Sequence, residues 1–175
     1  MRQTTNTPVS SWAADLGAYP NLVAIYLGMR VYTLRGLWTV ASLRTEVLKS
    51  VDAKPDGLLF HESFYFSLFP LHIGLRQYWR DFDSLERWTR ALPHQKWWKD
   101  YAENGRGTGF WHETYLVGGR AEGIYDAMRE PVGLLHFAGT VPASGKMSLA
   151  RARLGPAALP SGAEERACPA KTVAR

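Results

Sequence analysis

The sequence predicts an α+β fold of the ferredoxin-like, split βαβ kind: a four-stranded antiparallel sheet with helices on one face. Three observations carry that prediction. Runs rich in apolar, β-branched and aromatic residues recur at 22–31, 58–68, 71–79 and 109–117. Apolar residues switch to helical spacing between the first and second runs, and again between the third and fourth. Only Phe69-Pro70 separates the second run from the third, as in a hairpin.

Residues 1–20 are Thr/Ser/Ala-rich and read as an irregular arm. Leu22 to Val31 is apolar at successive positions, as a strand covered on both faces would be. Gly28 inside it predicts close approach of another group. Over 37–51 the stripe Val40, Leu43, Val47 and Val51 predicts a helix. Lys54-Pro55-Asp56-Gly57 is a turn. Strands over 58–68 and 71–79 follow. Asp83-Ser84-Leu85-Glu86 reads as a capping box that opens a second helix. Pro93 starts a further helical segment with Trp97, Trp98 and Tyr101 on one face, ended by Gly105 and Gly107. The fourth strand runs to Val117, and residues 122–128 suggest a short helix. No aromatic residue follows Phe137, and residues 139–175 read as an Ala/Gly/Pro/Arg-rich tail with room for a short helix near 148–154. The chain thus divides into an arm (1–20), one domain (21–138) and a tail (139–175). Strands apolar on both sides need cover on both. A second copy packed on the bare sheet face supplies it, so a homodimer closing a dimeric α+β barrel is expected.

Composition narrows the function. The net charge is +5, but residues 139–175 hold six Lys/Arg against two Glu. The rest carries 15 basic and 14 acidic groups, so no phosphate-tracking basic patch is expected and nucleic acid is not a partner. No apolar run approaches the ~20 residues that cross a bilayer. The polar first eleven residues do not resemble a secretion signal. One cysteine, Cys168, excludes an intramolecular disulfide. A cytoplasmic protein is expected. No metal-ligand spacing is present, so no metal is expected.

The chemistry concentrates in Trp111-His112-Glu113-Thr114-Tyr115 and in His72, Arg76, Tyr78 and Trp79. On a strand His112 and Glu113 face opposite ways, so one lines a helix-side cleft and the other points outward. Glu113 is either an acid–base group among rings or the partner of Arg30 or Arg76 in an ion pair. Arg76 is either an anion binder or a salt-bridge former. Tyr78, Trp79, Trp111, Tyr115 and Tyr125 offer faces for a planar substrate, with core packing as the alternative for most of them.

The ordered set Gly28-Met29-Arg30, Gln77-Tyr78-Trp79, Asp81-Phe82, Leu85-Glu86, Pro93-His94, Trp111 to Tyr115 and Tyr125-x-x-Met128 resembles a bacterial and fungal monooxygenase-like family. That family is related to the small monooxygenase of the fumagillin pathway. It belongs to the dimeric α+β barrel superfamily, with the antibiotic-biosynthesis monooxygenases. The resemblance spans roughly residues 20–155. It departs at Arg129-Glu130-Pro131-Val132-Gly133-Leu134, where relatives carry Pro-Pro-Phe-Gly-Leu. It implies a small oxidative tailoring enzyme of secondary metabolism, working on an aromatic, polyketide or terpenoid molecule with O₂. It also implies that His94, at a helix start, faces the cleft as a base. The catalytic set is then His94, His112 and Glu113, with Arg30, Arg76, Tyr78, Trp79, Trp111, Tyr115 and Tyr125 as substrate binders. No cofactor is expected. The alternatives are a haem enzyme with His94 or His112 as axial ligand, a non-oxidative cyclase or isomerase, and a non-catalytic binding barrel.

Overall fold

A computed structural model describes residues 11–154, apart from 92, 93, 95, 98, 100, 102, 104–106, 119 and 129. The sequence readings for residues 1–10, Pro93, Trp98, Gly105 and everything beyond 154, Cys168 included, lie outside the described residues.

The main sheet contains β2 (Val23–Val31), β3 (Leu58–Leu68), β4 (Leu71–Trp79) and β5 (Thr108–Leu116), in the spatial order β3-β4-β2-β5. All three pairings are antiparallel. Helix α1 (Leu34–Asp52) carries the chain from β2 across β4 to β3. Helix α2 (Phe82–Thr89), followed by helical residues between 94 and 103, carries it from β4 across β2 to β5. This is the expected split βαβ path.

Each helix has a sequence reason for its start. Thr33 is extended and its hydroxyl accepts from the Gly36 N–H at 3.3 Å. Asp81 is extended and its carboxylate accepts from the Ser84 N–H at 2.7 Å. The cap is therefore Asp81, two residues before the expected Asp83, which lies in the first turn. Hydrogen bonds from Arg80 and Ser84 hold the Asp81 carboxyl down to about 2. Trp88 Nε1 donates to Ser50 Oγ at 3.0 Å and ties α2 to α1.

The register fixes which side chains share a face. Val23, Ile25, Leu27 and Met29 of β2, Ile73, Leu75, Gln77 and Trp79 of β4, and Phe110 and His112 of β5 point toward the helices. Val23, Ile25 and Trp79, each at most 1% exposed, form a core with Leu85.

The other face differs from expectation. Residues 11–15, expected to be irregular, form β1 (Ser11–Asp15). Residues 124–126, expected within a short helix, form β6 (Ile124–Asp126), and residues 139–142, expected in the tail, form β7 (Gly139–Pro142). These three make a second sheet in the order β6-β1-β7. Together with a 3₁₀ turn at Gly133–His136, this layer packs Leu134, Phe137, Tyr19 and Tyr125 against Ala24 and Tyr78. The chain therefore covers one end of its own outer face, where a second copy was expected to cover all of it. The short helix expected near the tail is present at Ala150–Leu154.

Candidate active site

Between sheet and helices lies a cavity of about 310 Å³. Its floor comes from Ile25, Leu27 and Met29 of β2, Leu75 and Gln77 of β4, and Phe110 and His112 of β5. Its roof comes from Leu43 and Val47 of α1, Trp88 and Thr89 of α2, and the helical residues His94, Trp97 and Tyr101. A volume of that order suits a small, mostly apolar ligand.

Two histidines enter this apolar space. Burial pushes the His94 pKa below its ordinary value, a hydrogen bond to the Thr89 backbone opposes the shift, and His112 lowers it further. The His94 ring sits 4.9 Å from Trp88 and 5.7 Å from Trp97, centroid to centroid. In the neutral ring the nitrogen that donates to the carbonyl carries the proton, and the lone pair lies on the other ring nitrogen. His112 sits on edge strand β5 with one side in solvent. Burial on the cavity side likewise pushes its pKa down. A charge on His112 would raise the cost of charging His94.

Gln77 is a second polar residue of the floor and is 1% exposed. The Trp79 indole N–H, which can only donate, reaches Gln77 Oε1 at 3.1 Å. That fixes the amide, so Gln77 Nε2 faces His61 Nδ1 at 3.2 Å. His61 Nδ1 must then accept, which places the proton on Nε2 toward Ser63 Oγ at 3.4 Å. Burial lowers the His61 pKa, in keeping with a neutral ring. Gln77 is thus held in the cavity floor by two hydrogen bonds.

The other expected residues are elsewhere. Glu113 faces outward, is exposed, and accepts from the Tyr115 hydroxyl at 2.5 Å. Its expected partner Arg76 instead pairs with Glu62, donates to the Tyr26 hydroxyl at 3.0 Å and lies over the Tyr26 and Tyr78 rings. Burial drives the Tyr78 hydroxyl up to about 12. Trp111 lies on Gly28, where a Cβ would come within 2.6 Å of its ring. Its indole N–H donates to His72 Nε2 at 2.9 Å. Arg30 is on the same outer face and exposed. Trp79 is inward but fully buried core. Tyr125 belongs to β6, and its hydroxyl accepts from the Leu134 N–H at 3.3 Å. Of the ten expected residues, His94 and His112 line the cavity.

Gln77 and His61 were missed. The signal for Gln77 is its parity: it alternates with Leu75 and Trp79, so it points inward among apolar side chains and must be hydrogen-bonded.

Among the described residues no cluster of three or more His, Cys, Asp or Glu is placed to hold a metal ion. No described helix is long and apolar enough to cross a membrane.

Strand order, topology and a helix-side cavity define a ferredoxin-like split βαβ domain. The chain belongs to the monooxygenase af470-like family, whose match spans residues 22–134. An aldoxime dehydratase (OxdRE) solved with butyraldoxime is 22% identical with a TM-score of 0.61, over 81% of this chain and 42% of that one. A further aldoxime dehydratase is 17% identical with a TM-score of 0.56, over the same shares. This chain therefore spans less than half the length of either dehydratase, and the likeness is one of fold. SnoaB, a cofactor-independent oxygenase from Streptomyces nogalater, is 11% identical with a TM-score of 0.43, over 54% of this chain and 91% of that one. No curated protein matches the sequence.

Proposed function

We propose that this protein is a monooxygenase that oxidises a planar, apolar small molecule without a cofactor, using a neutral cavity histidine as base. The observation that carries the reading is one apolar cavity of about 310 Å³ into which His94 and His112 both project with depressed pKa values. The family supports an oxidative reaction. His94 takes a proton from a phenol or an activated methylene. The anion gives one electron to O₂, and the radical pair recombines as a peroxide. The histidine returns its proton, and loss of water leaves a carbonyl. One methylene and one O₂ become one carbonyl and one water. The ring-lined roof excludes water. A secondary metabolite of aromatic, polyketide or terpenoid type fits the lining, and the cytoplasm is the proposed setting.

Haem is the second reading. Among the described lining residues His94 or His112 would be the one to hold the haem iron, but no Lys or Arg is there to meet the porphyrin carboxylates. The fit is poor, and an absorbance scan lacking a Soret band in freshly purified protein supports the cofactor-free reading. The protein works as a homodimer in this proposal. Phe66, Leu68 and Phe69, 50%, 76% and 95% exposed, lie at the end of the sheet that the chain's own second layer leaves open. Sedimentation as a dimer is expected.

The test of the chemistry is O₂ uptake with candidate phenols. His94→Ala is expected to lower turnover by at least about 100-fold, the lower range of general-base effects, with the circular dichroism spectrum unchanged. A wild-type rate in that variant removes His94 from the mechanism. Turnover without O₂ points to a cyclase or isomerase, and a ligand returned unchanged to a binding barrel.

A further inference from the structure

Helix α1 is apolar on two sides. Val40, Leu43 and Val47 face the sheet, as its packing requires. Leu34, Leu37, Trp38 and Ala41, at i, i+3, i+4 and i+7, form a second stripe on the outward side of its first half. All four are exposed, Leu34 by 82% and Trp38 by 80%. The fold does not need them there, because a surface helix turns polar side chains outward. At about 100° per residue, exposed Arg35 falls on one flank of this stripe and exposed Arg44 on the other. Neither pairs with an acid among the described residues. The register gathers more of the same kind at this end of the sheet. Arg30 pairs with His72, so the end of β2, the start of α1 and the tip of the β3–β4 hairpin stand together. Tyr32 and Phe69 are exposed there. No acid occurs between Asp15 and Glu46 or between Glu62 and Asp81, whereas Arg30 and Arg35 both lie at this end. The chain leading into β5 adds two acids and two bases over 99–106, so the sign stays positive.

We propose that this end of the molecule rests on the surface of a bilayer that contains anionic lipid. Leu34 and Trp38 enter the interface, and Arg35 and Arg44 reach the headgroups. An indole suits the boundary between acyl chains and headgroups, and an arginine lays its stem on apolar surface while its head meets phosphate. The helix lies on the bilayer and does not cross it, in keeping with its length and composition. Charge selects lipid over a second copy here. Two such ends brought together would set arginine against arginine, whereas an anionic leaflet complements them. Helix α1 also lies on the side of the sheet away from the outer face that the proposed dimer uses, so both surfaces can be occupied at once. The inference does not depend on the chemistry of the cavity.

The probe is a phosphatidylcholine vesicle, with and without phosphatidylserine, sedimented with the full chain. Affinity is expected to be at least about tenfold higher with phosphatidylserine, and to fall as salt is raised. Leu34→Ser combined with Trp38→Ser changes only exposed side chains, so the circular dichroism spectrum is expected to stay the same. Vesicle affinity is expected to drop at least about tenfold in that variant. Arg35→Gln is expected to cost about fivefold, on phosphatidylserine vesicles only. The difference in emission between wild type and Trp38→Phe reports Trp38 itself. It is expected to be that of a solvated indole in dilute protein and to shift to the blue on phosphatidylserine vesicles. Three results overturn the proposal: no binding to phosphatidylserine vesicles, equal affinity for both kinds of vesicle, or undiminished binding by both the serine variant and Arg35→Gln. A Trp38 already shielded in dilute protein overturns it as well. It would mean that a second copy, if sedimentation then depends on concentration, or the chain's own terminal residues, if it does not, occupy this end instead.

Discussion

The two faces of the four-stranded sheet use their polar side chains differently. On the helix side, His61, His94 and His112 are pushed toward the neutral form by burial, and Gln77 is locked between Trp79 and His61. On the outer side, Glu62, Arg76, Tyr26 and Glu113 stand opposite one another across all four strands, with charge meeting charge. The outer face has the richer list of ionisable groups, but they satisfy one another. The helix face has fewer, and His94, His112 and Gln77 among them border an apolar cavity. Chemical capacity follows from which polar groups are left facing a cavity, not from how many there are.

The largest expected contrast separates stability from activity. Arg76→Ala leaves Glu62 without its cation and strips Tyr26 and Tyr78 of their guanidinium contact. The pair is partly solvated, with side-chain exposures of 25% and 31%. The expected loss is therefore about 1–3 kcal/mol in a urea titration, short of the value for a fully buried pair. Turnover of candidate phenols by the folded protein is expected to stay unchanged. His112→Ala is expected to do the reverse, with little change in the urea midpoint and a clear fall in turnover. A variant of Arg76 that folds normally but loses ligand would break the comparison.

The second contrast is pH. His61, His72, His94 and His112 all have depressed pKa values, with burial the leading cause in each. The unfolded chain therefore binds more protons than the folded one between the lowered values and about 6.5, the ordinary histidine value. Stability is fully present above about 6.5 and falls as the pH drops through that window. Each fully shifted histidine contributes at most about 1.4 kcal/mol per pH unit. His61 and His94 dominate, because solvent screens exposed His112. A lower melting temperature at pH 5.5 than at pH 7.5 is expected, and His94→Gln should flatten the curve. A melting temperature unchanged over that range would show that the cavity histidines are solvated.

Much of the helix face was legible in the sequence. The four strands and their order follow from local apolar runs, and alternation alone separates His112 from Glu113. Parity also places Arg76 and Tyr78 with Gly74 and His72, on the face away from Leu75. What alternation could not supply was which face borders the cavity, since that depends on how α1 and α2 pack. The second sheet was illegible for a different reason. Ser11–Asp15 is a strand because its partners, 124–126 and 139–142, come from more than a hundred residues away. Nothing local in Ser-Trp-Ala-Ala-Asp announces that pairing. The α2 cap was misplaced because Asp81 and Asp83 offer the same acceptor two residues apart, and only Asp81 takes the extended backbone.

Glu113→Gln gives the smallest expected effect and the sharpest test of the division between faces. Glu113 is exposed, so the change should move stability by no more than about 0.5 kcal/mol. Turnover should stay within about twofold, because the side chain points away from both histidines. One property should still respond. The Tyr115 hydroxyl titrates above its ordinary value chiefly because it donates to the Glu113 carboxylate. An amide in that place keeps the shape and removes the charge, so the Tyr115 transition in an ultraviolet pH titration should fall back toward 10. A shifted phenol with unchanged turnover would place this pair among the outer-face contacts. A tenfold loss of turnover with the same phenol shift would instead mean that the outer face takes part in the reaction, and the division of labour between the two faces would have to be abandoned.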